Sequence, residues 1–264
     1  MTRHRIGTSI ALTALLFLSG TTAAAQAGSR AGGSTGPDYY RFWAQAETGL
    51  SISGYNDVRS PGTTGTLFSL SEELETDPTP FIRLRLGWRI SERSTLMLLA
   101  APLTFTSTGS IDRDVTFEGT TFPAGTPLTS TYRFDSYRMT WRYAMRGSER
   151  FEWGLGATLK LRSAAITVKG GGQEAEKPNL GGVPLIHFDL AWKATPRFHL
   201  IMAGDALAAP QGRAEDVLVG ARYQVSDQIQ AYGGYRILEG GADVDEVYTF
   251  ALINYLSAGI RIHF

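Results

Sequence analysis

The 264-residue chain contains no cysteine. Disulfide staples, thiol redox chemistry and cysteine-ligated zinc are therefore excluded, and so is lipoprotein processing. Long apolar runs are also missing: beyond residue 18 nothing approaches the roughly 20 apolar residues of a membrane-spanning helix. Neither sign of charge is in excess, since 25 Lys and Arg balance 25 Asp and Glu, and no nucleic-acid partner is expected. The four histidines lack metal-ligand spacing, and Gly170-Gly171-Gly172 is not followed by a helix that would make it a phosphate loop. No metal and no cofactor are expected. The aromatic content of 11% is spread along the chain and argues against disorder.

Residues 1–25 read as a secretory signal peptide, with cleavage after 25 or after 27. Arg3, His4 and Arg5 form its positive end, residues 6–18 its apolar stretch, and Ala23-Ala24-Ala25 and Ala25-Gln26-Ala27 are candidate cleavage sites. Its apolar stretch is too short to span a bilayer as a helix. Export through the Sec route is the expectation. Residues 26–39 are rich in Gly and Ser and read as a flexible lead-in.

From residue 40 onward the dominant period is two, the period of a strand with two unlike faces. Residues 81–90 set Ile82, Leu84, Leu86, Trp88 and Ile90 against Arg83, Arg85 and Arg89. Ten such segments follow one another, at 42–54, 81–90, 95–107, 136–146, 151–168, 180–194, 198–208, 217–225, 228–239 and 247–264. The segment 95–107 is apolar on both faces, so its parity is open. Short polar turns, such as Ser226-Asp227, alternate with longer polar stretches at 56–78, 108–130, 170–179, 209–215 and 240–246. Within 108–130, the alternation of Val115 to Gly119, with Pro123-Ala124-Gly125 as the turn, suggests a small hairpin. Trp88, Trp141, Tyr143, Trp153, Trp192 and Tyr223 lie close to the short turns.

This pattern predicts an all-β protein, a single antiparallel transmembrane barrel of about ten strands over 40–264, with eight or twelve as alternatives. A soluble secreted β-sandwich or a lipocalin-like binder has the same alternation with its faces exchanged, and it stays open at this point. The ending LSAGIRIHF, with Ile260, Ile262 and Phe264 at every second position, resembles the carboxy-terminal assembly signal of small Gram-negative outer-membrane barrels. That resemblance implies residence in the outer membrane beside its lipid and lipopolysaccharide. It also implies biogenesis through periplasmic chaperones and the barrel-assembly machinery.

The polar face carries Glu47, Arg83, Arg85, Arg89, Arg138, Arg142, Glu152, Lys160, Arg162, Lys193, Arg222, Arg236 and Arg261, together with Asp189 and Asp205. In a membrane barrel this face lines the lumen. A ten-stranded lumen lies near the filled end of the size range, so an internal salt-bridge network is expected. The eleven bases outnumber the four acids, which leaves the balance to loop acids such as Glu72, Glu73, Glu75, Asp112 and Asp114, to water, or to bound anions. The leading expectation is a non-enzymatic envelope protein, either structural or a narrow passive pore that favours anions.

The alternative is an outer-membrane hydrolase acting on lipid or peptide. A turn at 195–197 places His187 opposite Asp205, with Asp189 one layer away, and a His beside a carboxylate can act as a general base. The ten-stranded omptin proteases carry such a pairing within an Asp-x-His motif, plus a separate Asp pair. Here the order is reversed in His187-Phe188-Asp189, and residues 95–107 hold no acid pair. The His-x-Ser of the outer-membrane lipid A deacylases is absent.

Overall fold

The computed structural model describes residues 40–264; the expected export signal and the lead-in to residue 39 lie outside the described residues. Ten antiparallel strands close into one barrel. They are β1 (Phe42–Arg59), β2 (Thr79–Arg89), β3 (in two stretches, Ser94–Ala101 and Thr104–Ser110), β4 (Pro127–Ala144), β5 (Phe151–Gly170), β6 (Gln173–Lys193), β7 (Phe198–Ala209), β8 (Gly212–Gln224), β9 (Ile229–Val244) and β10 (Val247–His263). Each pairs with its neighbours in sequence, and β10 returns to β1 with Trp43 opposite His263. Phe264 and Phe42 then exchange backbone hydrogen bonds of 2.9 and 3.0 Å and stack their rings 6.3 Å apart. Ten strands and barrel closure follow the sequence expectation; a two-sheet sandwich does not form.

The faces are inverted relative to a water-soluble barrel. Apolar side chains point outward and stay exposed, among them Leu86 at 57%, Leu159 at 56% and Leu256 at 68%. The charged side chains point inward. Trp88, Trp141, Trp192 and Tyr223 stand exposed on the outer face beside the short turns. The rim bearing these turns and both ends of the barrel chain is called here the turn rim; the opposite one is the loop rim.

At the loop rim the chain departs from expectation. The stretches 170–179, 209–215 and 240–246 are not loops. The strands run on through them and close in two-residue turns at Gly171-Gly172, Pro210-Gln211 and Asp245-Glu246. Both glycines of the first turn have positive φ, as a tight hairpin requires. These strand ends are polar because they extend past the apolar belt, and polarity alone made them look like loops. β5 and β6, at 20 and 21 residues, are about twice the length needed to cross a bilayer when tilted. From Gln173 to Leu185, β6 pairs only with β5, since its pairing with β7 begins at Ile186. Pro178 and Pro184 fall on this bare flank, where strand prolines are tolerated.

Two long loops remain, 60–78 and 111–126, and they fold into the barrel mouth. A small hairpin forms here between Val115–Phe117 and Thr120–Phe122, but it turns at Glu118-Gly119 and not at the expected Pro123-Ala124-Gly125, because Thr120–Phe122 pairs as its second strand. Phe68, Leu70, Leu74, Phe117 and Phe122 from these loops pack on inward-facing Phe105, Leu128, Tyr132, Val168 and Ile253. All are nearly or wholly buried, and the rings of Phe68 and Phe117 meet edge to face at 6.2 Å. An apolar core thus fills the loop-rim end of the barrel. This resolves the parity of 95–107: Met97, Leu99, Ala101, Leu103 and Phe105 point inward, because the segment runs from the belt into this core. Arg113 donates to Glu73 across the two loops, and these bonds hold the Glu73 carboxyl below its ordinary range.

Two aromatic rings inside the barrel lie flat over glycines of the facing strand. A Cβ at Gly87 would come 2.0 Å from the Trp43 ring, and one at Gly259 would come 2.4 Å from Tyr232 Cζ. Neither position admits a side chain without moving the ring. Gly87→Ala should therefore destabilise the barrel by about 1–3 kcal/mol. The check is the midpoint of the heat-induced gel-mobility shift; an unchanged midpoint would mean that Trp43 relocates freely.

Candidate functional site

The residues assigned to the polar face point into the lumen, and five of them, Glu47, Arg83, Arg138, Arg236 and Asp205, meet there in one central network. At its centre is Asp216, which sequence reading missed because the eighth segment was begun one residue too late, at 217. Asp216 has the same parity as Arg222 and Gln224, and that parity could have revealed it. Three arginines donate to it: Arg236 at 2.5 Å, Arg138 at 2.6 Å and Arg83 at 2.7 Å. Arg236 also grips Glu47 with two bonds of 2.8 Å. Tyr232 donates to Glu47 at 3.1 Å and accepts from Gln45 at 2.8 Å.

Asp205 and Asp216 face each other directly across β7 and β8. Like charges in opposed positions repel. Arg138 resolves this by spreading its fork, Nη1 to Asp205 at 2.7 Å and Nη2 to Asp216 at 2.6 Å. The side chains of this cluster are 1–4% exposed. Burying charge at this depth is tolerated only with full pairing.

His187 does lie opposite Asp205, with Nδ1 2.9 Å from Oδ1. Asp205 additionally accepts from Thr158 at 2.7 Å, and Thr158 bonds to Thr140 at 2.7 Å. Arg138, Thr158 and His187 together saturate the carboxylate. Asp189 is not part of this group; Arg142 holds it through contacts of 2.6 to 3.0 Å nearer the turn rim. The three residues singled out for catalysis thus fall into two separate ion-pair groups. Both members of the His187–Asp205 pair are buried, at 4% and 3% exposure.

The remaining bases are placed as follows. Lys193 and Arg222 contact Glu152 at 2.5 and 3.9 Å, and Arg222 lies 2.9 Å from His199. Arg162 donates to Asn179, and the Lys160 ammonium sits 4.7 Å above the Phe134 ring. Arg261 donates twice to Gln45 and stacks 4.2 Å over Trp43. Arg85 lies beside Gln45 on the other side, and Arg89 sits near the turn rim. Two of the loop acids are engaged within the loops themselves. Glu73 is used by Arg113, and Asp114 accepts from the backbone of Ala124. The apolar core stands between such loop acids and the polar lumen.

No protein-family model matches the chain, and no curated protein matches it by sequence. Solved structures do resemble it. The outer membrane protease OmpT from Escherichia coli aligns over 85% of this chain and 97% of its own at 12% identity, with a TM-score of 0.51. The translocator domain of the autotransporter NalP from Neisseria meningitidis aligns over 85% and 89% at 9% identity and TM-score 0.45. Neisserial surface protein A aligns over 84% and 97% at 17% identity and TM-score 0.36. At such identities the likeness to OmpT concerns the barrel fold alone.

Proposed function

We propose that the chain is an outer-membrane β-barrel with a closed interior, serving the cell envelope as a structural element and not as an enzyme. The outward apolar belt supports the location, because such a surface is stable only against hydrocarbon. The aromatic residues beside the short turns fit a membrane interface, and short turns support a periplasmic side for the turn rim. Membrane lipid and lipopolysaccharide would be its surroundings. The last strand, ending in Phe264, would be read by the assembly machinery after export by Sec and escort by periplasmic chaperones.

One observation carries the closed reading. Two successive layers occupy the lumen, the buried ion-pair network around Asp216 and the apolar core at the loop rim. The narrow anion-favouring pore suggested by the basic face would need both to open. The reading against catalysis rests on the saturated, buried His187–Asp205 pair.

Planar-bilayer recording on refolded protein tests this. No stable conductance steps are expected; regular steps in symmetric salt would overturn the closed reading. Location is tested separately by carbonate washing of membranes, where the protein should stay in the pellet until detergent is added.

A further inference from the structure

The two layers leave one part of the lumen open to water, the half facing the turn rim. Side chains there retain partial exposure, 19% for Arg222, 23% for Arg142 and 32% for Lys193. Charge in this half is unbalanced. Among the described residues, the carboxylates that point into it, Asp189 and Glu152, are taken by Arg142 and by Lys193 with Arg222. Arg85 and Arg261 have no carboxylate within ion-pair distance among the described residues.

The registers of β1 set these two arginines together, since Gln45 lies opposite Arg85 on β2 and opposite Arg261 on β10. Gln45 accepts from Nε and one Nη of Arg261, which leaves the other Nη of that guanidinium uncommitted. The charged groups that bear most on Arg261 are Arg222 and Arg85, both of its own sign. Unused donors surround this cluster. Arg222 Nε is buried without a partner, and His263, only 6% exposed, has neither ring nitrogen bonded. His263 lies within the field of Arg261, Arg89 and Arg222. Cations gathered in a narrow tube, with hydrogen-bond donors to spare, are stable only if a counter-charge completes them.

We infer that the turn-rim half of the lumen is a blind anion pocket, in which Arg85, Arg222 and Arg261 hold one small multivalent oxyanion of the phosphate class. The guanidinium forks suit tetrahedral oxyanions, which accept several bonds at once. Trp43 fixes the Arg261 plane from below, and His263 supplies a further donor. Access is from the turn rim only, so the ion would come from the periplasm. That compartment rests on the membrane reading above; the anion chemistry does not.

Isothermal titration of the refolded barrel with inorganic phosphate, in zwitterionic detergent at constant ionic strength, tests the pocket. One saturable site is expected. Arg85→Gln and Arg261→Gln should each weaken binding by about tenfold, the size of one charge-assisted hydrogen bond. Arg113→Gln, in the loop clamp, should bind as the unaltered chain does. Absence of a saturable site, or undiminished binding by both lumenal variants, would overturn the inference. Should those variants fail to refold, the unaltered chain decides: phosphate must raise its unfolding midpoint and chloride at equal ionic strength must not. Nanodiscs separate a free ion from a lipid headgroup. Equal phosphate affinity in phosphatidylglycerol and phosphatidylcholine supports the free ion, and competition by phosphatidylglycerol alone supports a headgroup in the same site. Extraction by carbonate would remove the periplasmic assignment and leave the titration result standing.

Discussion

Asp216→Asn is expected to lower barrel stability by about 3–5 kcal/mol, the cost of breaking a buried ion network from one side. Three guanidiniums, from Arg83, Arg138 and Arg236, would lose the charge that draws them together. An amide keeps one acceptor oxygen but no charge, and its NH2 group faces donors. Arg138 would then pull on Asp205 alone, so the damage should reach the His187 pair. Asp189→Asn provides the contrast. It removes one carboxylate from a single arginine at a site 25% exposed, and water screens the loss; a cost under about 1 kcal/mol is expected there. Unfolding midpoints of both variants in lipid vesicles decide the matter. Equal effects would mean that the central network adds no more than a surface pair does.

The second large effect belongs to the loop-rim core. Phe117→Ala removes a fully buried ring from the packing of the two loops. Substitutions of this kind cost about 3–5 kcal/mol. Here the loss should appear as local opening, because the loops can leave the mouth while the ladders stay paired. Trypsin cleavage after Arg113 should accelerate by about a hundredfold, the equivalent of about 3 kcal/mol in the opening equilibrium. Conductance should stay absent in the variant, since the Asp216 network still closes the lumen below. An unchanged cleavage rate would show that the core does not hold the loops; a conducting variant would show that the central network does not seal.

The regular part of this architecture was legible in the sequence because a period of two assigns every side chain to one of two faces. Leu84 and Leu86 outward with Arg83 and Arg85 inward needed nothing but that parity, and the His187–Asp205 register followed from one short turn. Four things were not legible. Asp216 stands just before Val217, where the apolar alternation of its strand starts, so that pattern does not mark the hub of the network as inward-facing. Phe68, Leu70 and Phe122 sit among polar loop residues with no periodicity, so a core made by folding the loops inward left no local trace. The polar ends of β5 and β6 have the composition of loops, and only their continued pairing identifies them as strands. Separating a bare Arg85 from a saturated Arg138 likewise depends on which acids the curvature of the wall brings within reach.

The bare flank of β6 bears on how copies of this protein behave when crowded side by side. An unpaired strand edge is a template onto which a neighbouring chain can add its own backbone, and long flat edges of this kind seed aggregates. From Gln173 to Leu185 the flank offers such an edge, yet Pro178 and Pro184 supply no amide hydrogen, and Gly181-Gly182 between them presents no side chain to pack. A second ladder could not propagate past these points. Two barrels that meet through these hairpins would therefore not extend a shared ladder along this flank.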